Sequence, residues 1–181
     1  MGDFLKIDDV LSHLKIKGNE KAAEFGCGSA DFSLTLAKRL PKGMVYALDV
    51  QEERLSALAH KLSHGDIKNV SAVLTDLEAP NGSGLKDNSL NMVLIPNLLF
   101  YAKEKSVIIA EAKRVLKNGG QMLLVDRLKK DIFAPKAELV DVGKIKEAIG
   151  NFGFVPKKEF SAGDYHFALL FTKKADKVST S

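Results

Sequence analysis

Apolar positions along this chain switch repeatedly between two patterns. Short β-branched or apolar runs alternate with longer stretches whose apolar residues recur at helical spacing, which predicts an α/β domain with a parallel sheet and crossover helices. Ile7, Val10, Leu11 and Leu14 share one helical face, and Gly18 stops that helix ahead of a first strand over 21–25. A glycine turn then enters a helix carrying Phe32, Leu34, Leu36, Ala37 and Leu40, ended by Pro41 and Gly43, and 44–50 reads as strand two. The next helix, 51–64, sets Leu55, Leu58, Ala59 and Leu62 on one face. Strand three is expected over 70–77, followed by the polar loop 80–84 and strand four over 90–96. A helix over 107–116 closes at Asn118-Gly119-Gly120, and strand five covers 121–126. After a helix over 140–152, the runs 154–160 and 165–171 are separated by only Ser161-Ala162-Gly163-Asp164, a hairpin spacing that makes the last pair antiparallel. The polar stretch 173–181 is expected to fray, leaving a single domain over 1–172.

Composition narrows the class. With 181 residues, 45% hydrophobic content and one cysteine, the chain is neither disordered nor a disulfide-stapled module. At this length folding buries roughly 70% of the surface exposed by the unfolded chain, so the core needs no metal or staple. The formal charge is +4, and the lysines lie in pairs such as Lys129-Lys130, Lys157-Lys158 and Lys173-Lys174. Such pairs read as solvated surface rather than a nucleic-acid stripe, although helix phase could gather them. No apolar run approaches the ~18 residues of a membrane span, and the acids Asp3, Asp8 and Asp9 are foreign to a signal peptide, so a cytoplasmic protein is expected.

Candidate chemistry concentrates where strand one delivers Glu24-Phe25-Gly26-Cys27-Gly28-Ser29-Ala30-Asp31 onto a helix N-terminus. Glycines there allow positive φ and close approach of a nucleotide-sized ligand, yet two glycines alone are weak evidence. Three acids strengthen the reading. Asp49 closes strand two, 21 residues after Gly28, where a carboxylate can accept both ribose hydroxyls. Asp76, at the expected end of strand three, could accept from an adenine amine. Glu24 sits inside an apolar strand, where a buried carboxylate needs a cationic or amide partner. Counted from Gly26, the third glycine of a dinucleotide fingerprint is replaced by Asp31, which would repel a pyrophosphate but suits the sulfonium and ammonium of S-adenosylmethionine. The histidines at 13, 60, 64 and 166 lack metal-ligand spacing, and Cys27 reads as a small filler, so no metal site is expected.

These segments resemble class I S-adenosylmethionine-dependent methyltransferases. The glycine turn is similar to the family's first motif, Val45-Tyr46-Ala47-Leu48-Asp49-Val50 to its acidic second motif, and 87–97 to its fourth-strand motif. Arg114-Val115-Leu116-Lys117-Asn118-Gly119-Gly120 resembles the turn into strand five, and within the class the chain is most similar to the compact branch containing quinone-biosynthesis C-methyltransferases. The resemblance implies a Rossmann-like, doubly wound seven-stranded sheet of order 3-2-1-4-5-7-6 with strand seven antiparallel. It implies S-adenosyl-L-methionine as cofactor, with Glu24, Gly26 and Gly28 at its methionine end, Asp49 on the ribose and Val50 beside the adenine. Asp76 and Leu77 would border the adenine's polar edge, and Asn97 would sit near the sulfonium. Ala30 stands where the family often has Gly, which is tolerable at negative φ, and Phe100 where relatives often have His.

Methyl transfer from a sulfonium needs alignment and exclusion of water, and a base only where the acceptor must lose a proton. Asp126, Tyr165 and His166 are the candidates on the strand carboxyl-end face, while Leu98 to Tyr101 and the segment containing Ile132, Phe133 and Pro135 could wall the acceptor. Nearly all of the chain is consumed by the cofactor fold. The expected acceptor is therefore a small molecule, or its surface is shared with a partner or a second copy. RNA or protein methylation and a non-catalytic binding module are the alternatives, and fold alone cannot separate them.

Overall fold

The computed structural model describes residues 5–127 and 141–175. The short helix α1 (Ile7–Leu11) precedes β1 (Lys21–Phe25), after which strands and helices alternate: α2 (Asp31–Arg39), β2 (Met44–Asp49), α3 (Glu52–His64) and β3 (Val70–Leu74). A long connection leads to β4 (Leu90–Pro96), α4 (Lys105–Val115) and β5 (Leu116–Arg127), and the fold closes with α5 (Val142–Asn151), β6 (Phe154–Ser161) and β7 (His166–Lys173). The seven strands form one sheet of order β3-β2-β1-β4-β5-β7-β6, as the resemblance implied. β1 pairs in parallel with both β2 and β4, so the strand order reverses at β1 and a crevice opens at the carboxyl ends of these strands. β7 runs antiparallel to β5 and β6, which puts the 161–165 turn at the same end of the sheet as Asp126 and Arg127.

Alternation along each strand divides the core into two faces. Val93 and Ile95 of β4 join Phe25, Ile108, Ile109, Ala112, Phe154 and Phe171 under α4 and α5. Met92 and Leu94 of the same strand join Val10, Leu11, Phe32, Leu36 and Leu40 under α1 and α2. Continuous apolar sequence in β4 follows from burial on both sides. The β6 edge is blunted by a register shift at Pro156–Lys158 and by exposed lysines, a usual defence against edge-to-edge pairing.

Several sequence expectations need correction. β3 stops at Leu74 rather than at 77. The last ladder-like bond is Thr75 N–H to Asp49 O at 2.9 Å, after which Glu78 N–H donates to Asp76 Oδ1 at 2.8 Å and turns the chain away. Asp76 thus belongs to the loop, not to the strand. β5 begins at Leu116, because Leu116 already pairs with Leu90 and the expected turn is absorbed as a register shift with Gly119 at φ +77°. β7 extends to Lys173, which is buried, its ammonium donating to Asn88 Oδ1 and Leu116 O at 2.8 Å each, so the ordered chain does not end at 172. The remainder of the expected tail, 176–181, lies outside the described residues, as does the 132–135 wall segment.

Ala30 also departs from expectation, since its φ is +60° rather than negative. The left-handed region costs a residue with a Cβ about 1–2 kcal/mol. Its methyl is fully buried against Cys27, Ala47, Leu55 and Leu58, and burial of one such group contributes about 0.8 kcal/mol. The two terms nearly cancel. Ala30→Gly is accordingly expected to change stability by less than about 1 kcal/mol in urea denaturation; a loss above about 2 kcal/mol would show that the buried methyl dominates.

Candidate functional site

The carboxyl ends of β1, β2 and β4 open into a cleft of ≈ 860 Å³, a size suited to a nucleotide-like ligand together with a small partner. Its lining includes Glu24, Gly26, Gly28, Asp49, Val50, Asp76, Leu77 and Asn97, so one cavity gathers all eight residues singled out for the cofactor. Gly26 and Gly28 take φ of +72° and +52°, and a Cβ on Gly26 would press to 3.0 Å from Leu98 Cδ1. The turn is therefore built around missing side chains and is fixed by its own amides, Gly26 and Cys27 N–H donating to Leu48 O at 2.9 and 2.8 Å.

Glu24 is 1% exposed. Its Oε2 accepts from Ser33 N–H at 2.9 Å and from Ser33 Oγ–H at 2.5 Å, two bonds from the first turn of α2. Burial nonetheless dominates and pushes the carboxyl up to about 8, with Asp31 and Asp49 adding repulsion against the relief from Ser33. Asp49, 7% exposed, accepts from Gly28 N–H through Oδ2 at 2.9 Å and from Gln51 N–H through Oδ1 at 3.0 Å. Each oxygen keeps a lone pair for a ligand hydroxyl while the carboxylate pins the glycine turn to the end of β2. Lys61 of α3 fastens the same turn from outside, donating to Ser29 O at 2.9 Å.

Across the cleft, Asn97 has φ +53° and its Oδ1 is buried without a hydrogen-bond partner among the described residues. Asp76 is exposed on the 75–84 loop, and Glu78 of that loop accepts from Lys103 N–H and Glu104 N–H at 2.9 and 2.7 Å, tying it to the start of α4. Val50 is 64% exposed, a large apolar side chain at the rim that a planar ring could cover. Five carboxylates and two guanidinium groups, those of Arg54 and Arg127, line the cleft, so its charge favours a cationic ligand.

Among the residues proposed for proton transfer, Asp126 is buried at the end of β5 and accepts from Arg127 N–H at 2.8 Å and from Phe100 N–H. Burial pushes its carboxyl up to about 6, against these hydrogen bonds. Tyr165 lies in the turn before β7, and His166 pairs with Arg127 across the ladder. The cleft lining includes Arg127 but none of these three. Of the expected apolar wall, Leu98 and Tyr101 line the cleft, Leu99 is buried in the core, and Phe100 packs edge-on against Tyr101 with ring centroids 5.0 Å apart. Leu5, Ile7, Ser33, Arg54, Lys61 and Glu78 complete or brace the site and were not singled out from the sequence. Cys27 lies buried with its thiol pushed up to about 12 by burial and by the neighbouring carboxylates, which suits a filler and not a nucleophile.

The profile of the methyltransferase domain matches residues 16–149. The chain belongs to this methyltransferase family. It is 28% identical over 120 residues to a demethylmenaquinone methyltransferase of Listeria monocytogenes serotype 4a, a match covering 65% of this chain and 49% of the relative. The chain spans about half the length of the curated relatives it matches. Its fold superposes on a SAM-dependent methyltransferase from Aquifex aeolicus with TM-score 0.83 at 23% identity, over 93% of this chain and 89% of that one. It superposes almost as well on the 4+2 cyclase SpnF, TM-score 0.81 at 14% identity, over 94% and 81% of the two chains. A neighbour named for cyclisation shows that the shared fold does not carry its chemistry with it.

This methyltransferase family and fold imply S-adenosylmethionine as the cofactor, and the residues lining the cleft fit that group. The tight positive-φ turn at Gly26 and Gly28, the orphaned Asn97 Oδ1 and the excess of carboxylates match a ligand that brings a sulfonium, an ammonium and ribose hydroxyls. No helix among the described residues is long and apolar enough to cross a membrane.

Proposed function

We propose that this methyltransferase transfers the methyl group of S-adenosylmethionine to a small-molecule acceptor held in the apolar part of the cleft. The observation that supports this is the lining itself. Once the carboxylates, the glycine turn and the adenine border are assigned to the cofactor, the remainder includes Leu5, Ile7, Phe32, Leu98 and Tyr101, a wall suited to a ring or short apolar body. Relatedness to demethylmenaquinone methyltransferases favours a hydroxy-aromatic or quinol acceptor.

S-adenosylmethionine supplies an electrophilic methyl on a positively charged sulfur. What the chain contributes is placement. Asp49 holds the ribose, Glu24 and the backbone around Gly26 and Gly28 hold the methionine end, and Asp76 with Leu77 borders the adenine. Leu98 and Tyr101, on the segment after β4, position the acceptor and exclude water, which is the main requirement of an in-line displacement. An acceptor hydroxyl must also lose its proton, and Asp126, Tyr165 and His166 are our candidates at that edge of the sheet.

A screen with radiolabelled S-adenosylmethionine over quinols, phenols, amines and RNA checks the reading. We expect label on a quinol or phenol; transfer to RNA alone, with strong salt dependence, would replace the acceptor class. On the true acceptor, Tyr165→Phe or His166→Ala is expected to lower kcat about 10-fold or more, and full turnover by both would remove them from proton transfer.

A further inference from the structure

A densely bonded polar cluster outside the cleft lies on α4. Glu111 is 3% exposed and does not line the cleft. Its Oε1 accepts from Ser83 N–H at 3.0 Å, from Ser83 Oγ–H, and from Arg114 Nη2 at 2.7 Å, while Oε2 accepts from Arg114 Nε at 2.8 Å. Arg114 in turn reaches Asp87 through Nη1, and its carbonyl accepts from Asn88 N–H at 3.0 Å. A buried carboxylate with this many donors is satisfied, and removing it strands several of them.

What the cluster holds is the far end of the 75–84 loop. Ser83 is anchored by Glu111, and the adjoining Gly82 carbonyl accepts from Thr75 Oγ, closing the loop on its own start. A Cβ on Gly82 would collide with the carbonyl oxygen of Asp76 and stand 2.8 Å from that of Ala79, so the two ends of the loop are in direct backbone contact. At the near end, Asp76 Oδ1 accepts from Glu78 N–H, and Glu78 is bound to the start of α4. The loop is thus clamped at Glu78 to the segment entering α4 and at Ser83 to α4 itself, with Asp76 two residues before the first clamp and its carbonyl against Gly82 beside the second.

We infer that Glu111 is a positioning residue for base recognition: by anchoring Ser83 and the closed 75–84 loop to α4, it fixes the Asp76 carboxylate where it accepts from the 6-amino group of adenine. This rests on the proposed role of Asp76. Geometry makes the claim specific, because the Asp49 and Glu24 carboxylates are held by bonds from the glycine turn, Gln51 and α2, and among the described residues the loop meets Asp49 only at its backbone carbonyl, through Thr75 N–H.

The test uses S-adenosylhomocysteine and S-inosylhomocysteine, which differ at the base edge by an amino donor against an oxo acceptor. Calorimetry on the wild-type chain should show the adenine ligand binding about 10-fold or more tighter, since a hydrogen bond to a charged group is at stake. Glu111→Gln should reduce that preference to within about 3-fold, and Ser83→Ala should reduce it partly. A merely structural Glu111 would weaken both ligands alike and leave the ratio unchanged, which overturns the inference. If wild type shows no preference, the reading of Asp76 falls and this inference with it. Should Glu111→Gln fail to fold, Ser83→Ala decides: a ratio lowered at least about 3-fold supports the clamp, and an unaltered ratio ends it.

Discussion

Asp49→Ala is expected to weaken binding of S-adenosylhomocysteine about 100-fold or more. Two ribose hydroxyls would donate to one carboxylate, and each hydrogen bond to a charged group is worth about 1.5–3 kcal/mol. The same substitution also releases the Gly28 and Gln51 amides, so part of the loss comes from a loosened turn. Asp49→Asn separates the contributions. Its amide retains the volume and one acceptor oxygen, so one of the two turn amides keeps its partner and the loss should be smaller, about 10-fold. Calorimetry, with the thermal midpoint measured alongside, checks both values; a wild-type Kd for Asp49→Ala would remove Asp49 from the cofactor site.

Cofactor binding is expected to release a proton from Glu24. With burial holding its carboxyl at about 8, the ligand-free protein carries Glu24 mostly protonated at pH 7. A cationic ligand beside it stabilises the ionised form, so the bound-state pKa falls and binding approaches one proton released per cofactor at pH 7. The sign follows directly: affinity rises with pH, by up to about 10-fold per unit, between the bound-state pKa and about 8. The rise flattens there, because above about 8 Glu24 is ionised before the ligand arrives, and α-amino groups, which titrate at ~7.7–8.0, begin to lose the ligand's own positive charge. Ligand-free stability runs the other way. A carboxyl whose folded pKa exceeds its unfolded value binds more protons when folded, so Glu24's contribution to stability is fully present below its unfolded value of 4.5 and is lost as pH rises toward about 8. Calorimetry in buffers of different ionisation enthalpy counts the proton. Glu24→Gln should abolish the release, leave affinity within a few-fold of wild type at pH 6 and lower it about 30-fold or more at pH 8; unchanged proton release would assign it to another group.

The alternation of strands and helices and the cofactor cradle were legible because both are written locally, whereas the sheet order came from the family resemblance. Gly26, Gly28 and Glu24 stand within one strand-turn-helix unit, and Asp49 ends the next strand, so period and spacing suffice to place them. What could not be read depends on partners remote in sequence. Ser33 donates to Glu24 from nine residues away, Lys61 reaches Ser29 across 32, and Glu111 holds Ser83 across 28. Lys173 looked like the start of a polar tail, yet Asn88, 85 residues earlier, and the Leu116 carbonyl give its ammonium a buried site. Backbone conformation was equally hidden: Ala30 has an ordinary helix-forming side chain, and only its place at the end of the turn forces φ to +60°. The boundaries of β3 and β5 shifted for a related reason. Hydrophobic content continues through Leu77, but the Asp76 carboxylate caps a turn there, and Gly119, which reads as a stop, is absorbed inside a strand.

Titrating the ligand-free chain with S-adenosylmethionine and, separately, with NAD tests the central claim most directly. The site predicts one S-adenosylmethionine per chain with a micromolar Kd and no measurable NAD binding, because Asp31 stands where a pyrophosphate would need an uncharged glycine turn. Saturable NAD binding with no response to S-adenosylmethionine would contradict it.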